Sequence, residues 1–183
     1  MRIAIMAFGS RGDVQPFVAL AHLLKAAGFP PYIVSLDNYE AFVTGAGVDF
    51  FPLGISLLEA NPDQFMAAIQ SGQNTVTGVL ALVGSMAPVV TRMVESVSEA
   101  CAKADALIAS LIAMPAAHAF AEKHHVPYFV GMLQPFGRTT AFTCPAFPLN
   151  LPDSGPLNMM THLFVEQLFS LSMLAFVNGW RCP

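Results

Sequence analysis

Residues 1–29 read "MRIAIMAFGSRGDVQPFVALAHLLKAAGF". "MRIAIMA" (1–7) is a short apolar run ended by a polar corner, the pattern of a strand buried on both faces. "PFVALAHLLKAA" (16–27) places Phe17, Leu20, Leu24 and Ala27 on one helical stripe and stops at Gly28. Between them lies "FGSRGDVQP" (8–16), with two glycines, a serine, an arginine and an aspartate at a strand-to-helix corner. Strand, corner and helix together open a βαβ unit.

The alternation continues down the chain. "PYIVSL" (31–36) reads as the second strand, "NYEAFVTGAG" (38–47) as a short helix and "DFFPL" (49–53) as the third strand. A mixed stretch from Gly54 to Asn74 suggests a loop with a helical piece after Asn61-Pro62. A helix is expected over Thr75–Ala104, bent at Pro88, with Val90, Met93, Val94, Val97 and Cys101 inward. "ALIAS" (106–110) is the fourth strand, Pro115–His124 a helix opened by its proline, and "PYFVGM" (127–132) the fifth strand. Apolar strands alternating with amphipathic helices predict an α/β, doubly wound, Rossmann-like parallel sheet. The expected organisation is a βα core over 1–132, a proline-rich loop over 133–157 and a terminal helix over 158–181. That loop carries Pro135, Pro145, Pro148, Pro152 and Pro156, and its Phe136, Phe142 and Phe147 suit packing on a ligand or partner.

Bulk properties narrow the function. A chain of 183 residues suits one α/β domain. Hydrophobic residues make up 55% and charged residues 11%, so part of the exterior is expected to meet something apolar: a protein partner, a lipid-like ligand or a membrane surface. The net charge of −4 and the lack of Lys/Arg clusters argue against nucleic acid. Three dispersed cysteines, without CxxC or histidine at ligand spacing, indicate neither a disulfide framework nor a metal site. The apolar start is too short for a secretory signal, which favours a cytoplasmic setting. Gln64–Thr91 carries no formal charge, but its most apolar part, Val76–Val90, falls short of the roughly 20 residues of a spanning helix. It reads as a buried or ligand-facing helix, with peripheral membrane contact as the alternative.

In a doubly wound sheet ligands bind beyond the carboxyl ends of the strands, where strand order reverses. This places residues 8–15, Ser110–Met114 and Leu133–Phe136 at the expected crevice. Gly9 and Gly12 permit close backbone approach, and free amides at the following helix start suit a diphosphate. The spacing satisfies neither GxGxxG nor a P-loop, so a tight turn and an anion site remain alternative readings. Asp13 also has two readings, a helix cap or a carboxylate free in the crevice. Proline prefers the first helical position; with Pro16 there, Gln15 becomes the cap and Asp13 falls outside the helix. A free carboxylate could act as general base toward a hydroxyl. Being a far weaker base than an alkoxide, it would need proton transfer concerted with attack on a strong electrophile.

Three stretches carry a family resemblance: "GSRGDVQPFVALAHLLKAAGF" (9–29), "DALIASLIAMPAAHAFAEKHHVPYFVGMLQPFGRTTAFTCPAFP" (105–148) and "THLFVEQLFSLSMLAFVNGWR" (161–181). In order and position they resemble the N-terminal domain of family 28 glycosyltransferases, which includes sterol glucosyltransferases and enzymes that glycosylate antibiotics and glycolipids. The resemblance implies a GT-B fold of two Rossmann-like lobes, with this chain as the single N-terminal, acceptor-binding lobe. It implies an inverting transfer of a hexose from a UDP- or dTDP-sugar co-substrate to a lipophilic hydroxyl acceptor, with no bound cofactor or metal. By position, Asp13 matches the aspartate that deprotonates the acceptor, and Gly9, Ser10 and Gly12 match the turn approaching the donor diphosphate. Met114 lies in the crevice segment after the fourth strand; Gln134, Pro135, Phe136 and Phe142 match the acceptor-pocket segment. The donor-binding C-terminal lobe has no counterpart among the 183 residues, so its contribution in cis or in trans is expected. After "QP" this chain continues Phe136-Gly137-Arg138, where the family usually has threonine and proline.

Other candidates read as structural. His22 is expected to be partly buried on the first helix. His118 is expected to pack on its helix, and His124 and His125 to sit at a helix C-terminus. A non-catalytic module that binds an apolar ligand or a protein partner through the proline-rich loop is the competing function class. A lone nucleotide-binding flavodoxin-like domain is a third.

Overall fold

A computed structural model describes residues 1–55, 95–147, 149 and 151–181. Five strands form one parallel sheet: β1 (Ile3–Met6), β2 (Pro31–Ser35), β3 (Asp49–Pro52), β4 (Ala106–Ser110) and β5 (Tyr128–Gly131), in spatial order β3-β2-β1-β4-β5. β1 is central, and Ile3–Met6 pairs with Pro31–Val34 on one side and Ala106–Ala109 on the other. Every residue of β1 is buried, as its unbroken apolar run predicts for a parallel strand covered on both faces. Ile5 and Met6 are fully buried, each contributing about 1.5–3 kcal/mol of transfer free energy.

Helix α1 spans Arg11–Ala26, five residues longer at its start than Pro16 suggests. The cap is Ser10 rather than Gln15, and Asp13 is inside the first turn. Pro16 lies inside the helix and forfeits one helical bond, the one Gly12 C=O would accept. Val14→Ser10 closes the turn ahead of it. The longer helix also rotates the inward stripe: Val14, Phe17, Val18 and Ala21 are buried, Leu20 and Leu24 are half-buried, and Ala27 is exposed. His22 is exposed, against the expected partial burial, because it follows Ala21 around to the solvent face.

A 3₁₀ turn (Asp37–Tyr39) and α2 (Glu40–Gly45) connect β2 to β3. Helical residues 95–101 precede β4, and Val97 and Cys101 face inward as expected. Val90, Met93, Val94, the loop after Gly54 and the uncharged segment Gln64–Thr91 lie outside the described residues. Helix α3 covers Met114–His124 and α4 covers Gly155–Arg181. α4 thus begins three residues ahead of the predicted terminal helix.

The proline-rich segment enters α4 at Gly155; ahead of it, the described residues of 133–154 form no helix or strand but are tied to α4. Asn158 Nδ2 donates to Thr140 O at 3.0 Å and to Asp153 Oδ1 at 2.9 Å, and Cys144 N–H donates to Thr161 Oγ1 at 2.9 Å. Arg138 meets Glu166 with two parallel bonds of 2.6 and 2.7 Å. Among the described residues no helix is long and apolar enough to cross a membrane.

Candidate active site

From β1 the chain passes to β2 on one side, while β4 pairs on the other, so strand order reverses between β1 and β4. The crevice beyond these two carboxyl ends is where a doubly wound sheet holds its ligand. Phe8–Asp13 leaves β1 at this edge and Leu111–Met114 leaves β4. Met132–Phe136 follows β5 at the same edge of the parallel sheet. Ile112, Met132 and Leu133 are about half exposed on these segments, an apolar rim beside the polar corner.

The corner is built around Gly9. Its φ of +130° favours glycine, and a Cβ there would fall on Asp13 Oδ2. Asp13, third residue of α1, reaches back to the cap. Its Oδ2 accepts Ser10 N–H at 2.7 Å and the Ser10 hydroxyl at 2.8 Å. This is the carboxylate arm of a capping box, and it also places negative charge at the positive end of the helix. Oδ1 accepts no hydrogen bond among the described residues, and Asp13 is half-buried. The carboxylate therefore caps the helix through one oxygen, the first of the two readings the sequence left separate, and its other oxygen has no hydrogen-bond partner among the described residues. The first-turn amides of Arg11 and Gly12 have no acceptor within the helix, so they can face an anion at its N-terminus.

Gly9, Ser10, Gly12 and Asp13 are thus gathered on one turn. Met114 is the first residue of α3, across the strand reversal, and is half-buried. Gln134 and Pro135 are exposed after β5, and Phe136 is half-buried with its N–H on Gln134 O. Phe142 stands apart: it is 42% exposed and its ring meets the edge of the His162 ring, 5.7 Å between centroids, on α4. Its peptide is held too, with His162 Nε2 at 3.2 Å from Phe142 O. Among the described contacts none ties Phe142 to the β1 corner.

Sequence reasoning placed Ser110 at the crevice but missed its support of the corner, and missed Ser35 and Tyr39 there. Ser35, Tyr39 and Ser110 all place hydroxyls on the backbone of Ala7–Gly9. The available signal was a lone serine closing an otherwise apolar strand, in "PYIVS" and "ALIAS". His118 is half-buried on α3 beside β5, with Nδ1 3.1 Å from the Tyr128 hydroxyl. Two groups whose protonation is shifted by burial lie toward the other end of the sheet. Burial pushes the Cys101 thiol up to about 12, and burial foremost raises the Tyr32 phenol to about 12.

Comparison with known proteins agrees with this geometry. Residues 3–143 match the glycosyltransferase family 28 N-terminal domain. The sterol 3-beta-glucosyltransferase of Emericella nidulans is 32% identical over 185 residues, covering 99% of this chain and 13% of that protein. The sterol 3-beta-glucosyltransferase of Komagataella phaffii is 29% identical over 181 residues, covering 98% of this chain and 14% of that one. The chain thus spans a small part of the length of these relatives. In fold it resembles the Streptomyces sp. SF2575 glycosyltransferase SsfS6, with a TM-score of 0.58 at 19% identity, over 96% of this chain and 46% of that one. It also resembles the calicheamicin glycosyltransferase CalG4, with a TM-score of 0.54 at 11% identity, over 98% and 40%. With its sheet order, its glycine-serine-aspartate corner and a match over most of its length, the chain belongs to glycosyltransferase family 28 and has the Rossmann-like fold of a GT-B N-terminal lobe.

Proposed function

We propose that this lobe is the acceptor-binding half of an inverting glycosyltransferase. It would move a hexose from a UDP- or dTDP-sugar to a lipophilic hydroxyl compound, with a sterol as the class favoured by its relatives. The observation that carries the reading is Asp13: its unbonded Oδ1 lies at the strand reversal, on a turn whose amides suit a diphosphate. The acceptor oxygen attacks the anomeric carbon while the bond from that carbon to the diphosphate oxygen breaks. The hydroxyl proton passes to Asp13 Oδ1, and the nucleoside diphosphate leaves with the bond's electrons. Amides at the α1 N-terminus stabilise charge growing on the leaving group. Residues 133–157, held on α4, supply the acceptor wall, and a donor-binding lobe in cis or in trans completes the cleft. A cytoplasmic lobe, with peripheral membrane contact as the route to a lipophilic acceptor, is the setting this reading favours.

The test joins the chain to a donor-binding lobe and measures sugar transfer. Asp13→Asn should lower the rate by about 10²-fold or more, the range for loss of a general base. An unchanged rate removes Asp13 from the chemistry. The half-exposed apolar rim of Ile112, Met132 and Leu133 supports a second reading, binding of a hydrophobic alcohol without turnover. Tight binding of such a compound by the joined protein, with no transfer, would select it.

A further inference from the structure

Three successive peptide planes lead from β1 into the corner, and side chains from three other elements fix them. In the Ala7–Phe8 peptide, Ala7 O accepts the Ser35 hydroxyl of β2, and Phe8 N–H donates to Ser110 Oγ of β4 at 3.1 Å. In the Phe8–Gly9 peptide, Phe8 O accepts the same Ser110 hydroxyl at 3.3 Å. In the Gly9–Ser10 peptide, Gly9 O accepts the Tyr39 hydroxyl at 3.1 Å, while Ser10 N–H donates to Asp13 Oδ2 at 2.7 Å. Tyr39 and Asp13 therefore hold opposite ends of one peptide unit. Bonding at the carbonyl polarises the peptide and strengthens the N–H as a donor to the carboxylate.

Ser35 and Ser110 are buried, and Tyr39 is 9% exposed, so water has little access to replace them. Their positions make them a frame. Ser35 comes from one side of β1, Ser110 from the other, and Tyr39 from the turn after β2. A serine hydroxyl has one proton and two lone pairs; Ser110 spends the proton on Phe8 O and one lone pair on Phe8 N–H, so it has no proton left to donate elsewhere.

We infer that Tyr39 and Ser110 are positioning residues for the Asp13 carboxylate: they fix the peptide planes of the corner, keep Oδ2 seated on Ser10, and leave Oδ1 as the single reactive oxygen. The inference rests on the reading of Asp13 as proton acceptor. It also explains the phenol of Tyr39, since phenylalanine would fill the same space without reaching Gly9 O.

Tyr39→Phe removes only that hydroxyl, and two measurements read its effect. In this chain, amide hydrogen exchange followed by NMR should speed up at Ser10 while Ile5 in β1 is unchanged. In the chain joined to a donor-binding lobe, kcat should fall about tenfold with the acceptor KM unchanged, as expected for a misplaced group that does not bind substrate. Ser110→Ala should act in the same direction, with exchange rising at Phe8; should it fail to fold, Tyr39→Phe alone decides. Unchanged Ser10 exchange overturns the inference. An unchanged kcat in Tyr39→Phe beside an inactive Asp13→Asn also overturns it and leaves the proton-acceptor reading standing. Full activity in Asp13→Asn overturns the proton-acceptor reading itself, and with it any catalytic purpose for the frame.

Discussion

Asp13 turns back on Ser10, taking both its backbone N–H at 2.7 Å and its hydroxyl at 2.8 Å on a single carboxylate oxygen. A helix cap and a proton acceptor would ordinarily compete for one side chain. On the proposed reading the two oxygens divide the tasks, and the cap supplies what a base needs, a carboxylate whose rotamer is already fixed. The cost of ordering it is met by folding rather than by substrate binding.

That division separates two substitutions at one position. Asp13→Asn keeps a carbonyl oxygen for the Ser10 donors, so the domain should lose only a few tenths of a kcal/mol while transfer collapses. Asp13→Ala removes the carboxylate arm of the capping box as well and should cost about 1 kcal/mol more in urea unfolding. Equal stability of the two variants would show that the Ser10 bonds contribute nothing.

Gly9→Ala should be worse than either. It forces a side chain into φ +130° and onto Asp13 Oδ2. Strain of about 1–3 kcal/mol is expected for the backbone alone, with displacement of the carboxylate added. Thermal unfolding measures the first, and loss of slow Ser10 amide exchange reports the second. Gly131→Ala offers a control away from the carboxylate, because its Cβ would meet the Phe17 ring at 2.7 Å and strain the α1–β5 packing instead.

Much of the sheet was readable because parallel strands buried on both faces leave unbroken apolar runs; "ALIAS" coincides with β4. The start of α1 was misread for a local reason. Pro16 was given its preferred first helical position, whereas Ser10 and Asp13, three residues apart, form a stronger start signal when their side chains close on each other. The corner's support was harder to see. Ser110 lies 102 residues from Phe8, and Tyr39 lies 30 from Gly9, so only the assembled sheet brings them together. Likewise Asn158, Thr161 and His162 sit among apolar neighbours in a sequence that reads as a core helix, and their burial is explained by the carbonyls and amides of the preceding loop.

That loop should respond to Asn158. Replacing it with alanine strands Thr140 O, the Thr143 hydroxyl and Asp153 at once. A loss of about 1–2 kcal/mol is expected from the net worth of these part-buried bonds, because Thr140 and Asp153 are exposed and water can take the place of the amide there. Limited proteolysis should then cut between Gly137 and Phe147 before it cuts α1. Cleavage that is no faster than in the unaltered chain would show that the loop is held elsewhere.

Acid should loosen the same loop through its exposed ion pair. The hydrogen bonds from Arg138 hold the Glu166 carboxyl below its usual 4.5. A carboxylate depressed in the folded state contributes stability above the unfolded value of 4.5 and loses it as pH falls through the lower folded value. Proteolytic susceptibility of 138–147 should therefore rise below about pH 4.5, and Glu166→Gln should remove that pH dependence. Salt should weaken the pair as well, since both groups face water.

Alkali acts at the opposite end of the sheet and with the opposite sign. Burial raises the Cys101 thiol from 9.0 to about 12, so between these values the unfolded chain ionises and the folded one does not. Stability from this group is complete below pH 9 and drains away as pH approaches 12. Tyr32, raised from 10.0 to about 12, adds to the loss over the upper part of that range. Urea unfolding across the window should show a falling midpoint, and Cys101→Ala should flatten its lower part and trim the Tyr32 contribution, since burial foremost and the Cys101 thiolate second raise that phenol. The same burial keeps the thiolate scarce, so Cys101 in the folded chain should resist alkylation at pH 8 and react at once in urea. Rapid native labelling of Cys101 would mean that the helix over 95–101 opens readily, and the alkaline limb would then have to be assigned to Tyr32.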